Sequence, residues 1–399
     1  MLGWRRTAQG LTRRNSSTIK FDYYDEIAFC AVKDRMKKKS QRSIPPKPAV
    51  ALRKATPPVE GKVQMEDIAQ LAGVSRSTVS RALNHSPVVN LETRERIERL
   101  ARSLKYSIHV GARNLRLQQN RTIAVVLPFD AKTHQSVSDP FFVSLMGSLA
   151  DALTARGYDM LVSRIDADRL DLAGDLAASG RAVGVILVGQ WHHHDQINDL
   201  AARQSPIVVW GAHLPQQIYC TIGGDNIAGG MLATEHLIAT GNRRIAFFGD
   251  VELPEVGHRF AGYQQTLARN NVAPAAELVH HAPFVEGSAR EAVATLVKKK
   301  IRFDAIFASS DLLAMEAISG LRERGRRVPE DCAVVGYDDI VVARYYHPSL
   351  TTIRQPVTTG GEALVEALLK ILDGKRVASQ ILPTELIVRE SSVKSPAKR

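Results

Sequence analysis

Cysteine is scarce: the 399 residues hold only Cys30, Cys220 and Cys332, far apart and with no C-x-x-C pair. That spacing excludes a disulfide framework and a zinc knuckle, and it fits a reducing cytoplasm. No run approaches the roughly 18 apolar residues of a membrane-spanning helix. The N-terminus also lacks the apolar stretch of roughly 7–15 residues that marks a secretory signal. Neither H-E-x-x-H nor G-x-S-x-G occurs, and no G-x-G-x-x-G follows a strand-like run, so zinc-hydrolase, nucleophile-elbow and dinucleotide chemistry have no foothold. Gly223-Gly224 and Gly229-Gly230 flank Asp225-Asn226 without completing that last pattern. His192-His193-His194-Asp195 reads as a loop and not as a metal site, because consecutive side chains point apart and share one ion poorly. No metal and no cofactor is expected.

What is present is ordinary in amount and uneven in placement. Hydrophobic residues make up 44% and charged residues 24%, as in a globular protein, and the length predicts two or three folded units at roughly 100–200 residues each. The net charge of +12 is confined to the first third. Residues 1–62 carry 15 basic against 5 acidic residues, residues 63–120 carry 9 against 5, and residues 121–399 carry 29 against 31. A basic arm and a basic small segment ahead of a near-neutral remainder point to an anionic partner, with nucleic acid foremost.

Residues 1–62 combine Arg5, Arg6, Arg13, Arg14 and Lys37-Lys38-Lys39 with Pro45-Pro46, Pro48 and Pro57-Pro58, a composition expected of a disordered extension. It fits a DNA-contacting arm, an upstream extension or a solvated tail, the last two being favoured because charge runs are usually just solvated. From Met65 the pattern is helical. Ile68, Ala69, Leu71 and Ala72 form a stripe that breaks at Gly73-Val74 and resumes after Ser75 with Val79, Ala82 and Leu83. A third helix follows Asn90, with Ile97, Leu100, Ala101 and Leu104 on one face.

The turn needs the positive φ that Gly73 supplies, and Ser75 is placed to cap the second helix. That helix opens on small polar and cationic side chains, the equipment of a recognition helix in a major groove. Arg76, Ser77 and Arg81 are the base-reading candidates, since Arg pairs bidentately with guanine, and Ser75, Thr78 and Ser80 are the phosphate contacts.

Beyond Arg121, β-branched runs (Thr122–Leu127, Met160–Ser163, Val183–Val188, Ile207–Trp210, Arg244–Phe248, Ala305–Ala308, Ala333–Gly336, Leu386–Val388) alternate with helical stretches. Those helices are expected at Phe141–Arg156, Ile227–Thr240, Arg259–Asn270, Ser288–Lys298, Leu312–Arg324 and Gly360–Asp373. Regular alternation means βαβ units and parallel sheets, and so many strands exceed one comfortable sheet, so two α/β lobes are expected.

The string D-I-A-x-L-A-G-V-S-R-S-T-V-S-R-A-L-N at Asp67–Asn84 resembles the DNA-binding signature of the lac repressor and purine repressor family. Further matches follow in order: Thr93-Arg94-Glu95-Arg96-Ile97, Asp139-Pro140-Phe141-Phe142, Asp311-Leu312-Leu313-Ala314, Val334-Val335-Gly336-Tyr337-Asp338-Asp339 and Pro348-Ser349-Leu350-Thr351-Thr352-Ile353. The resemblance implies a small all-α helix-turn-helix head on an α/β periplasmic-binding-protein-like core of two parallel-sheet lobes joined by three crossovers. The chain then divides into an extension (1–62), a head (63–108), a hinge helix and linker (109–120), an effector-binding and dimerisation core (121–392) and a basic tail (393–399). The tail has no leucine heptads, so a dimer is preferred to a tetramer.

In the family a hinge leucine wedges into the central minor-groove step and kinks the duplex, and Leu115 holds that place with Arg113 and Arg116 near phosphates. Ile108-His109 stands where Pro-Asn is common, and Gly111 weakens the hinge helix by about 1 kcal/mol, which favours ordering on DNA.

Ligands of open α/β sheets sit beyond the carboxyl ends of strands, and several candidates follow strand ends. They are Phe141, Phe142, Trp210, Arg259 (opening a helix), Phe284, Asp311 and Asp338. Aromatic faces with Arg and Asp suit a carbohydrate. Arg259 and Asp338 also match the family's effector-contacting positions, whereas Phe141 and Phe142 fit a core role equally well, and Asp311 fits a helix cap better than a ligand contact. Gly211 stands where some sugar-responsive members have Asp, and Ser310 where some have Asn. The resulting expectation is a dimeric DNA-binding repressor on a pseudo-palindromic operator, controlled by a small molecule, most simply a sugar, with no membrane partner. A transport-type sugar-binding module and a sugar- or nucleoside-acting α/β enzyme are the competitors, and neither explains a basic head.

Overall fold

The computed structural model describes residues 63–83, 85–104, 106, 120–130 and 136–393. The chain divides into two compact units, Met1–Tyr106 and Ser107–Arg399.

The first unit contains helices α1 (Met65–Ala72), α2 (Arg76–Leu83) and α3 (Leu91–Ser103). Gln64 and Asp67 form a capping box at the start of α1, and Gly73 ends it at φ 62°. Asn90 caps α3 by accepting from the Thr93 N–H at 2.8 Å. Ile68, Ala72, Val79, Ala82, Ile97 and Ala101 meet in one small buried cluster. Leu71, expected on the buried stripe, is 59% exposed, because the 3.6-residue turn carries Ile68 and Ala72 inward and leaves Leu71 off their face.

The second unit holds two six-stranded sheets. The first has the order β11-β5-β4-β3-β1-β2 and the second β12-β10-β9-β8-β6-β7. The first lobe's strands are β1 (Thr122–Phe129), β2 (Asp159–Asp166), β3 (Gly184–Val188), β4 (Ile207–Trp210), β5 (Cys220–Gly224) and β11 (Gln380–Leu382), all parallel. The second lobe's are β6 (Ile245–Phe248), β7 (Val279–His280), β8 (Ala305–Ala308), β9 (Ala333–Asp338), β10 (Thr351–Arg354) and β12 (Glu385–Ile387), parallel except where β12 runs against β10.

Both faces of both sheets are covered, as near-continuous apolar strands require. Helices α4 (Pro140–Thr154) and α11 (Val357–Leu372) cover one face of the first sheet, and α5 (Leu172–Ala178) with α6 (His194–Ala202) cover the other. Helices α9 (Ser288–Lys298) and α10 (Asp311–Arg322) cover one face of the second, and α7 (Asn226–Ala239) with α8 (Pro254–Arg269) the other. The chain passes between lobes after β5, after β10 and after β11, giving three crossovers.

Three local expectations change. Arg259 lies inside α8 rather than opening it, because Pro254 at the first helical position starts the helix earlier. The histidine run is only partly loop: His194 begins α6, and its Nδ1 lies 2.7 Å from the Tyr219 hydroxyl, while His193 Nε2 lies 3.0 Å from Asp168. Strands β5, β7, β10 and β11 were not among the expected runs, being short and rich in Thr, Gly or polar residues.

Candidate functional site

Two surfaces carry the chemistry. On the first unit, the tight turn at Gly73 presents the start of α2 to solvent. Ser75, Arg76, Ser77 and Arg81 are exposed, whereas Thr78 and Ser80 are half-buried. The Thr78 N–H donates to Ser75 Oγ at 3.2 Å, so Ser75 caps the helix. Its hydroxyl also lies 2.8 Å from Ser77 Oγ and 2.9 Å from Thr78 Oγ1, so its one donor and two acceptor sites are all engaged within the turn, and a phosphate would have to displace one of these hydroxyls. Arg76 pairs with Glu66 at 2.8 Å, a contact between exposed groups that is readily exchanged for phosphate or base. The hinge candidates Arg113, Leu115 and Arg116 lie outside the described residues.

On the second unit, a cleft opens beyond the carboxyl ends of the strands of both sheets. Six of the seven expected ligand residues line it: Phe141, Phe142, Trp210, Arg259, Phe284 and Asp338. Phe141 is half-buried against the cores of both lobes and still reaches the cleft, its ring centroid 6.1 Å from Trp210 and 5.8 Å from Phe142. Core and ligand wall are therefore not alternatives for this residue. Trp210, only 4% exposed, is mostly core.

Arg259 is buried and held on three sides. Its Nε donates to Asn226 Oδ1 at 2.8 Å, its Nη1 to the Ser309 carbonyl at 2.5 Å, and its guanidinium lies 3.7 Å from the centre of the Tyr337 ring. A cation fixed this way is preorganised for a ligand. Asp338 accepts from Gln355 Nε2 at 2.7 Å, and its backbone sits at φ 120°, a region L-residues avoid. The next residue, Asp339, accepts from Arg354 Nε at 2.8 Å and from Arg389 Nη2 at 2.5 Å, which anchors the strained turn. Burial pushes the Asp338 carboxyl up to about 7, with Arg259 opposing and Asp139 adding to the rise.

Asp311 is the exception. It does not line the cleft and does not cap α10; Ser310 does, accepting from the Leu313 N–H at 3.2 Å. Asp311 turns into the protein, where it accepts from Thr352 Oγ1 at 2.5 Å and from the Ile340 N–H at 2.9 Å. Burial and the neighbouring Asp338 hold its carboxyl well above the usual range, a tie between α10 and the strand ends of the sheet.

Sequence reasoning missed Trp191, Glu255 and Gln355 among the lining residues. Glu255 sits in the first turn of α8 with its Oε1 buried and unpartnered. Burial raises its carboxyl, against its own N–H, Arg259 and the N–H of Gln190 on the facing lobe. The available signal was position, since Trp191 follows the end of β3 and Glu255 follows β6. The departure at Gly211 also has a cause. A Cβ there would stand 2.6 Å from Gln190 Oε1, so the buried Gln190 side chain occupies the room that a residue 211 side chain would need.

Residues 64–108 match the family described as bacterial regulatory proteins, lacI family, and residues 234–392 match the periplasmic binding protein-like domain. The HTH-type transcriptional regulator CelR of Thermobifida fusca is 33% identical over 335 residues, spanning 82% of this chain and 97% of CelR. The chain belongs to the lacI family. This lacI-family chain is a DNA-binding transcriptional regulator with a helix-turn-helix head. Its structure is similar to that of the lac repressor dimer bound to operator and the anti-inducer ONPF, with 27% identity and a TM-score of 0.73 over 84% of this chain and all of that one. It is also similar to the CelR–cellobiose complex, with 33% identity and a TM-score of 0.61 over 82% of this chain and 99% of that one. No helix among the described residues is long and apolar enough to cross a membrane.

Proposed function

We propose that this regulator is a repressor that binds a pseudo-palindromic operator as a homodimer in the cytoplasm, and that a sugar-containing effector in the cleft controls it by binding and not by turnover. The observation carrying this is one cleft holding a fixed Arg259, a strained Asp338 and aromatic walls, on a chain that also has a helix-turn-helix head. One short recognition helix reads a half-site, so two copies double both contacts and specificity. Arg76, Ser77 and Arg81 read bases, Ser75, Thr78 and Ser80 hold phosphate, and Leu115 wedges the minor groove between Arg113 and Arg116.

Relatives support each half: CelR is described with cellobiose, and the lac repressor as a dimer on operator. Ligand closure would shift the core between two states through its differential affinity for them.

The test begins with duplexes selected from a random pool by the full chain, then titrated at fixed salt. A two-fold symmetric site is expected, with Leu115→Ala losing specific binding far more than non-specific binding. Arg259→Ala is expected to abolish the response to whichever sugar alters that binding. No preference for any duplex over scrambled competitor overturns the reading.

A further inference from the structure

Arg76 stands where a cation gains nothing for its own helix. It is the first residue of α2, whose first turn holds no acid, and the positive end of a helix dipole favours anions over cations. An acid comes from the neighbouring helix instead: Glu66, in the first turn of α1, approaches Arg76 Nη1 through Oε1 at 2.8 Å. Both side chains stay more than half exposed, at 61% for Arg76 and 51% for Glu66, so the pair by itself adds little to stability.

The acids in the first turn of α1 differ in what they do. Asp67 completes the capping box by accepting from the Gln64 N–H at 2.7 Å, whereas Glu66 takes no part in that box and reaches across to α2. Its place is costly on a DNA-binding surface. In a helix-turn-helix the first helix crosses the phosphate backbone while the start of the second meets base edges, so a carboxylate beside Arg76 repels the duplex. Sequence reading offers the compensating gain. A guanidinium carries its N–H donors in a rigid fork, and one contact through Nη1 does not use the Nε–Nη2 edge, from which guanine O6 and N7 can both accept. An arginine without such a brace swings between base and phosphate, and a phosphate contact reads no sequence.

We propose that Glu66 is a positioning residue for base reading: it braces the Arg76 guanidinium so that the Nε–Nη2 edge faces a guanine, and it holds Arg76 back from the phosphates. This rests on the reading of Arg76 as a base-reading residue and adds a second residue, on the other helix, on which that reading depends. The pair gives up affinity for DNA in general and gains discrimination at one base pair of each half-site. Arginine's planar fork suits the role, because held at Nη1 it presents its other edge in a fixed orientation, which the flexible point charge of a lysine does not.

The test uses a duplex selected from a random pool by the full chain, with every base pair of a half-site varied in turn and binding titrated at fixed salt beside scrambled duplex. Arg76→Ala is expected to relax one position at which the unaltered chain prefers guanine by about tenfold or more. Glu66→Gln is expected to cut the preference at that same position to about threefold or less. It should also bind scrambled duplex about two- to fivefold more tightly, because one negative charge has gone from the contact surface. In the Arg76→Ala background, Glu66→Gln should no longer change base preference at that position, and Glu66→Asp, which keeps the charge, should retain more of the preference than Glu66→Gln. A Glu66→Gln chain that keeps the full guanine preference, or that loses affinity for every duplex alike, overturns the proposal and leaves Arg76 standing as a base reader. If Arg76→Ala relaxes no position, that reading and this inference fall together.

Discussion

Asp338 combines a strained backbone with a buried carboxyl, and its titration is a property of the residue that can be measured. Its folded-state value, up to about 7, lies above the ordinary 3.8, so between those values the folded chain keeps a proton that the unfolded chain has released. Its contribution to stability is complete below about pH 4 and is lost as pH rises through about 7. Groups around it modulate the loss: Arg259 opposes it, whereas Asp139 adds to it. Asp338→Asn is therefore expected to flatten the decline of thermal stability over that window, by an amount on the order of a few kcal/mol at most. Parallel wild-type and variant curves would show that the decline comes from elsewhere, the buried Asp311 being the first place to look.

Single residues also show where reading from sequence stops. Arg259 and Asp338 were legible because they follow strand ends in a recognisable pattern. Asp311 follows a strand end just as closely and was misplaced, because Thr352 and the Ile340 N–H, which turn it inward, are remote in sequence. Trp191 and Glu255 also follow strand ends but stand next to no motif, and that both line one cleft is decided only by the facing of the two lobes.

Among the elements, the turn between α1 and α2 was the most readable, since a stripe that breaks at Gly73 and resumes after Ser75 admits few alternatives. Gly73 at φ 62° has nothing near the position of a Cβ, so Gly73→Ala tests the backbone alone. The cost is expected to be about 1–2 kcal/mol, seen as weaker hydrogen-exchange protection across α1 to α3 with little change in the second unit. Unaltered protection would mean that the turn tolerates an L-residue there. Strands were less readable than helices. Segment β5 ends in two glycines and β10 begins with two threonines, and each is a strand because parallel neighbours supply its ladder. Helix α8 starts ahead of the amphipathic stretch Arg259–Asn270 because Pro254 fixes its first turn.

For the whole molecule, the positive charge gathered before residue 120 and the near-neutral remainder match the division into a DNA-binding unit and a ligand-binding unit. If one two-state equilibrium links them, the linkage must be reciprocal. An effector that changes operator affinity by a given factor, typically about 5–150-fold, must have its own affinity changed by the same factor when operator is bound. Calorimetry with and without operator measures both sides of that cycle. Unequal factors would rule out a single shared equilibrium.

Local order carried most of the architecture. Helix periodicity, cap residues, the glycine at the turn and the alternation of apolar runs depend on neighbours within a few positions, so the head, the two lobes and the regulatory class could be read from the chain. The inventory of the cleft could not. Which way the Asp311 carboxyl turns, that Gln190 fills the room beside Gly211, and that Trp191 and Glu255 line one cleft depend on groups brought together from distant positions by the folding of the two lobes. A linear reading has no measure of that distance.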